Sequence, residues 1–253
     1  MRSLKLTLSY DGTDYAGWQI QSKHSTIQGE LEKAISTIAG ESIRVVGSGR
    51  TDAGVHALGQ VASFAVDSPL ECAAWSRALN ANLPDDINVL RVEDAADGFH
   101  ALRDAVSKRY RYVIRDNGVR DVFTRRYYWR YPQRLDVGRM SEAASVLVGQ
   151  HDFASFQSSG AERGSTVRTV HKLTIQRDDT EMIAFEVEAN GFLYNMVRAI
   201  VGTLVEVGRG SRTVGWPADV LADCDRRAGG PTAPPQGLFL VHVDYGDRCE
   251  SPT

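Results

Sequence analysis

The chain has 253 residues, 42% hydrophobic and 24% charged, and its 29 Lys and Arg against 32 Asp and Glu leave a formal net charge of −3. That balance excludes disorder, collagen and coiled coil as the main class, and the length suits one large domain or two small ones. No apolar run approaches the roughly 18 residues needed to cross a bilayer, and the opening MRSLKLTLSYDG lacks the apolar stretch of a signal peptide. Three scattered cysteines (Cys72, Cys224, Cys249) fit neither a disulfide framework nor a zinc site, so the expected compartment is the cytoplasm, with no membrane association and no metal.

Leu4, Leu6, Leu8 and Tyr10 alternate with polar residues and predict a half-buried strand ended by the Asp11-Gly12 turn. Ser25-Thr26-Ile27-Gln28 has the spacing of a capping box, and Ile27, Leu31, Ile35 and Ile38 then recur at helical period up to Gly40. Residues 43–47 read as a strand, followed by a Gly-rich loop and a strand near 58–66. Pro69 is placed to start a helix running to about Asn80, with a strand near 87–94 after it. The second half repeats this order. Residues 108–115 form a strand, and Asp136 caps a helix through Val148. Strands follow near 167–177 and 182–189, the latter alternating through Ile183, Phe185, Val187 and Ala189. A helix near 194–207 carries Met196, Ile200, Leu204 and Val207 on one face, and Leu238 to Tyr245 form the last strand. Arg226–Gln236 reads as an irregular connection.

The expected fold class is therefore α+β: two ferredoxin-like or RRM-like split βαβ units joined into one extended antiparallel sheet with a central active-site cleft. The first unit spans 1–105 and carries the Gly-rich loop. The second spans 106–253 and carries the strand from 108 and the helix with Arg198.

Charge is concentrated in one stretch. Between Lys108 and Arg134 nine basic residues, eight of them Arg, face only Asp116 and Asp121, a local charge of +7 that leaves −10 on the rest of the chain. Tyr110, Tyr112, Phe123, Tyr127, Tyr128, Trp129 and Tyr131 are interleaved with them. Basic side chains neutralise phosphates and aromatic faces stack on unpaired bases, so the stretch points to nucleic acid. The plainer alternative is a solvated basic strand face with the aromatics on the core side, as the alternation Tyr110-Arg111-Tyr112 allows.

The most unusual segment is Gly47-Ser48-Gly49-Arg50-Thr51-Asp52-Ala53-Gly54-Val55-His56. Its glycines permit sharp turns and close approach to a ligand, and it holds a single carboxylate, Asp52, two residues from Arg50. A neighbouring cation keeps a carboxylate ionised, as a nucleophile or general base requires. An Asx turn that merely braces the loop is the bland alternative, and the Lys-Ser/Thr of a phosphate-binding P-loop is missing. His151-Asp152 resembles the start of a metal site but has no further cluster around it. His56, His100, His171 and His242 lie singly. Arg198 sits one turn into an apolar helix with Tyr194 and Gly202 at i±4. It either faces the interior, where it needs a carboxylate partner, or snorkels to solvent.

At Gly49–Ala57 (GRTDAGVHA) the sequence resembles the TruA-type tRNA pseudouridine synthases. The resemblance continues through Tyr10-Asp11-Gly12-Thr13 with Gly17-Trp18-Gln19, Ser107 to Tyr112, His151 to Phe156, Asn190 to Arg198, and Ala233 to Leu238. It implies that Asp52 is the catalytic aspartate, that Tyr110 packs against the target base, that Arg198 pairs with the aspartate, and that Arg50 helps to handle the flipped nucleotide. It further implies isomerisation of uridine to pseudouridine at positions 38 to 40 in the anticodon stem-loop of tRNA, by an aspartate nucleophile with base flipping and no cofactor, in a homodimer. After Phe99-His100-Ala101 the family commonly has Arg then Phe, whereas Leu102-Arg103 follow here, and Tyr194-Asn195 stand where many relatives have histidines. Two rival readings are a non-catalytic RNA-binding protein of two RRM-like modules and a carboxylate-based glycosidase or nucleoside hydrolase. The first lacks an RNP1 pattern and leaves the acidic loop unexplained, and the second needs a further acidic partner that the sequence does not identify.

Overall fold

Strand β1 (Arg2–Tyr10) buries Leu4, Leu6, Leu8 and Tyr10 and turns the intervening residues toward solvent. The computed structural model describes every residue except 119, 159, 161–163 and 247–253, so Cys249 lies outside the described residues. Those described form ten strands, paired mostly antiparallel, and five α-helices, an α+β fold. The chain divides into two compact units: Met1–Val106 with the chain from Phe239 onward, and Ser107–Leu238.

In the first unit, β1 pairs antiparallel with β3 (His56–Val66) on one side and β4 (Ile87–Ala95) on the other. The short β2 (Val46–Gly47) runs antiparallel to β3. The strand that closes the chain, β10 (Leu238–Asp244), pairs in parallel with the start of β3, placing Phe239 opposite His56. Helices α1 (Ile27–Ala39) and α2 (Cys72–Asn82) bring Leu31, Ile35, Trp75 and Leu79 into the core, with the Trp75 ring edge-on to Phe64 at 5.5 Å.

Three local expectations shift here, each for a visible reason. The cap of α1 is Thr26, whose hydroxyl accepts from Gly29 N at 3.3 Å. Gln28, the expected box partner, instead donates to Glu32 and to Val45 O. That contact also shortens the strand expected over 43–47. Ile43 N donates to Ser36 Oγ and Val45 N to Glu32 Oε1, so side chains of α1 take the backbone groups that a strand neighbour would have used. Residues 69 and 70 lie before α2 rather than in it, because Ser68 Oγ accepts from Leu70 N and Arg2 donates to Leu70 O.

In the second unit, β5 (Ser107–Arg115) pairs antiparallel with β9 (Met182–Ala189), which pairs with β8 (Val167–Arg177) and that with β7 (Gly149–Asp152). The two-residue β6 (Trp129–Arg130) lies parallel to the end of β5. Tyr110, Tyr112 and Ile114 of β5 are buried opposite Val187, Phe185 and Ile183. Helix α3 (Val137–Ala144) begins where Asp136 accepts from Arg139 N, but it tightens into a 3-10 turn over Ser145–Leu147 instead of continuing to Val148. Helix α4 (Met196–Gly208) is apolar on nearly every side and is correspondingly buried. The short α5 (Trp216–Asp223) follows it.

The Gly- and Pro-rich connection after residue 226 runs along α4. A Cβ on Gly202 would sit 1.7 Å from Pro231 O, so only glycine permits this approach. Thr203 Oγ1 donates to Ala199 O and accepts from Gly230 N at 2.9 Å, stitching the connection to the helix.

Asp116, at the end of β5, is fully buried and accepts both arms of the Arg177 guanidinium, at 2.6 and 2.7 Å, together with Leu135 N at 2.7 Å. Burial raises its pKa, but the Arg177 fork and the Leu135 N–H outweigh that and hold it below the usual carboxylate range. A carboxylate with a depressed folded-state pKa stabilises above its unfolded value of about 3.9, and this contribution is lost as pH falls through the folded value. Asp116→Asn is expected to lower stability at neutral pH by about 2–4 kcal/mol and to flatten the acid limb of the stability profile. Urea unfolding from pH 7 to pH 3 checks this, and acid limbs of equal steepness in both proteins would contradict it.

Candidate active site

The loop between β2 and β3 is ordered by hydrogen bonds on both sides of Asp52. Ser48 N donates to Val61 O at 2.7 Å and its hydroxyl to Gln60 Oε1 at 2.6 Å. Gln60, fully buried, returns its amide to Gly49 O at 3.0 Å and to the Tyr10 hydroxyl at 3.4 Å. The Tyr10 hydroxyl lies 2.8 Å from Thr51 Oγ1, and Thr51 O accepts from Trp18 N at 3.0 Å. Past the aspartate, Val55 N closes a turn on Asp52 O at 3.1 Å. Burial pushes the Tyr10 hydroxyl up to about 12, so it stays neutral across the physiological range. Backbone polar groups buried in a loop must be paired, and here β3, through Val61 O and Gln60, and Trp18 N supply the partners.

His56 joins the turn after β1 to the last strand. Its Nδ1 lies 3.1 Å from both Gly12 N and Asp11 Oδ1, and its ring stacks on Phe239 at 4.8 Å. Gly12 itself approaches the loop so closely that a Cβ would stand 1.9 Å from Val55 O. The Tyr10-Asp11-Gly12 turn and the Asp52 loop therefore form one interlocked piece. On it Asp52 is half-buried and Arg50 exposed.

The second unit holds the other two sequence-derived candidates. Tyr110 is buried in β5 with Phe192 edge-on to its ring at 4.9 Å and 82°. Arg198, half-buried in the first turn of α4, donates from Nε to Ala233 O at 2.7 Å and from Nη1 to Asn195 Oδ1 at 2.8 Å. Lys108, two residues before Tyr110, is brought down to about 8 by burial and then by the charge of Arg168.

The basic stretch divides along its length. Arg111 pairs with Glu186, Arg115 with Asp121, and Arg134 with Glu181. Arg109, Arg120, Arg125, Arg126 and Arg130 are exposed. Tyr110, Tyr112 and Tyr128 lie in the core, while Phe123 is 89% exposed and Tyr127 39%. The strand part thus takes the alternating form, with aromatics inward, and the loop part presents cations and two rings to solvent.

His151 and Asp152 are occupied locally, the imidazole Nε2 lying 3.1 Å from Val148 O and the carboxylate accepting from Ala154 N. Among the described residues no group of three or more His, Cys, Asp or Glu is placed to hold a metal ion. None of their helices is long and apolar enough to cross a membrane.

Of the residues that frame the aspartate, Ser48, Thr51, Tyr10 and Gly12 lie in segments the sequence singles out, though without their bracing contacts, while Gln60 escapes sequence reasoning as an ordinary strand residue. The one available signal is a polar Ser or Gln inside an otherwise apolar strand context. Gly12→Ala is expected to destabilise the first unit by roughly 3 kcal/mol through overpacking against Val55 O. Thermal melting checks this, and an unchanged melting temperature would mean that the turn and the loop are not interlocked as described.

A family described as "tRNA pseudouridine synthase" matches residues 7–102 and 143–246. The matched residues include Arg50, Asp52 and Arg198, while Tyr110 lies between the two matched parts. A tRNA pseudouridine synthase A of Brevibacillus brevis is 48% identical over 247 residues, covering 97% of this chain and 100% of the relative. One from Thermoanaerobacter sp. is 45% identical over 245 residues, covering 97% and 100%, and one from Geobacillus sp. is 46% identical over 245 residues, covering 96% and 98%. Among solved structures, an H/ACA RNP bound to a substrate RNA containing 2'-deoxyuridine is similar with a TM-score of 0.38 at 12% identity, over 89% of this chain and 59% of that one, too slight a likeness to bear on the fold. A carboxylate braced in the GRTDAG loop, with close relatives matching the chain from end to end, leads to one assignment: the chain belongs to the tRNA pseudouridine synthase family.

Proposed function

We propose that this chain isomerises uridine to pseudouridine in the anticodon stem-loop of tRNA, at positions 38 to 40, with Asp52 as the nucleophile. Family membership supports the reaction class. The single observation that carries the site is the position of Asp52, whose backbone is tied at Thr51 before it and Val55 after it. In the reaction the N1–C1′ bond breaks, a C5–C1′ bond forms, C5 loses its hydrogen as a proton, and N1 gains one. The carboxylate attacks either C6 of the base or C1′ of the sugar, so that base or sugar stays tethered while the base turns. No external oxidant or reductant enters this balance.

Arg198 is the proposed cation for the aspartate, keeping it ionised, and Arg50 assists the flipped nucleotide. Extruding a uridine from a stem loses a few kcal/mol of stacking and pairing. Stacking on Tyr110 offsets about 1–3 kcal/mol of this, and the exposed arginines of the 109–130 stretch add phosphate contacts. Holding the detached base in place for reattachment lowers the entropic part of the barrier. The first half of the chain (1–105) thus contributes the nucleophile, and the second (106–253) the stacking ring and the cation. A homodimer acting in the cytoplasm fits this reading. The RNA-binding alternative is not favoured, since the relatives matched over nearly the whole chain are named as synthases.

Tritium release from tRNA labelled at uracil C5 reports the reaction, because forming the C5–C1′ bond must expel that hydrogen. Asp52→Asn is expected to abolish release while tRNA affinity stays within a few fold, and release at a near wild-type rate from the folded variant would remove the nucleophile assignment. Tyr110→Phe is expected to be milder than Tyr110→Leu, because the ring face stacks; equal losses would assign the role to the hydroxyl.

A further inference from the structure

Asn195 precedes the first residue of α4 and stands in the left-handed region, with φ 62° and ψ 9°. Asparagine tolerates this conformation better than most residues, so the dihedral alone carries no inference. The side chain supplies one. An ordinary N-cap asparagine has extended backbone and accepts from an N–H of the first turn; the left-handed Asn195 makes no such bond. Its Oδ1 instead accepts from Arg198 Nη1 at 2.8 Å, and its Nδ2 donates to Ser158 Oγ at 3.0 Å. This orientation of the amide is forced, because a guanidinium only donates and the atom facing it must be the oxygen. Ser158 is tethered in turn, its N donating to Tyr194 O at 3.1 Å.

Arg198 is thus gripped twice. Nε is bound to Ala233 O at 2.7 Å, and that carbonyl is fixed by the reverse bond from Ala233 N to Arg198 O. Nη1 is bound to Asn195. Two hydrogen bonds to different nitrogens of a planar group set both the plane of the guanidinium and the direction of Nη2.

We infer that Asn195 is a positioning residue for Arg198, its side-chain oxygen fixing the orientation of the guanidinium that the proposed reaction uses. This rests on the proposed role of Arg198 and goes beyond it by naming what aims that residue. Asn195 touches no reacting atom in this account. Its loss is expected to slow turnover without loosening substrate binding.

The test compares Asn195→Gly, Asn195→Ala and Asn195→Asp with wild type and Arg198→Ala, measuring kcat and KM on tRNA together with melting temperature. Glycine adopts a positive φ without steric penalty, so Asn195→Gly is expected to melt higher than Asn195→Ala, which loses the same hydrogen bonds and is strained as well. Both are expected to lower kcat on the order of 10- to 100-fold with KM changed less than about threefold. Asn195→Asp keeps an oxygen facing Nη1 and is expected to retain more of kcat than either. Wild-type kcat in Asn195→Gly beside an inactive Arg198→Ala would overturn the inference, leaving Asn195 a backbone role only. Full activity in Arg198→Ala would overturn the assignment of Arg198 itself, and the inference with it.

Discussion

Thr51 is held from two directions, and the position of the neighbouring aspartate follows from that. Its hydroxyl meets the buried Tyr10 hydroxyl at 2.8 Å, and its carbonyl accepts from Trp18 N at 3.0 Å. The Tyr10 side of this clamp is itself tied to Gln60, which also takes Gly49 O and the Ser48 hydroxyl. A Gly-rich loop would otherwise be among the most mobile parts of a domain. Here its backbone groups are paired by β3 and by Trp18 N, and the Gly12 turn presses against it with no room for a side chain. Catalysis by a carboxylate requires that the group stand within a few tenths of an ångström of its reacting position before the substrate arrives. The proposed role of Asp52 as nucleophile rests on this fixed loop.

The second unit solves the same problem by different means. Its α4 is buried nearly all round, and such a helix must be entered and left along tight paths. Gly202 and Thr203 allow the Gly-Gly-Pro-Thr-Ala-Pro segment to run against the helix, and that segment delivers the carbonyl of Ala233 to Arg198. What the sequence presents as an irregular connection is, in the fold, a seat for a guanidinium.

The elements most legible in the sequence are those with long, regular patterns. The alternation of Leu4, Leu6, Leu8 and Tyr10 and of Ile183, Phe185, Val187 and Ala189 locates β1 and β9, and the spacing of Ile27, Leu31 and Ile35 locates α1. Short elements have too few residues to show a period. β6, β7 and the eight-residue α5 leave no such signal, and β2 shrinks to two residues because side chains of α1 claim its backbone. Asp52, Arg50, Tyr110 and Arg198 stand out through motif and composition. Gln60 and Ser158 do not, because they act through contacts between distant parts of the chain, and the motifs that contain Thr51 and Asn195 do not show what these two hold. Pattern marks the candidate groups, and only the fold shows what holds them still.

The proposed reaction is an isomerisation in which base and sugar part and rejoin inside the protein. Quantitative nucleoside analysis of an unmodified anticodon-arm tRNA, digested after incubation with the purified chain, tests it most directly. The account predicts that each uridine lost appears as one pseudouridine, of equal mass but different retention, with no free uracil. Free uracil in step with uridine loss would mean hydrolysis instead, and an unchanged nucleoside profile with bound tRNA would mean recognition without catalysis; either result contradicts the account.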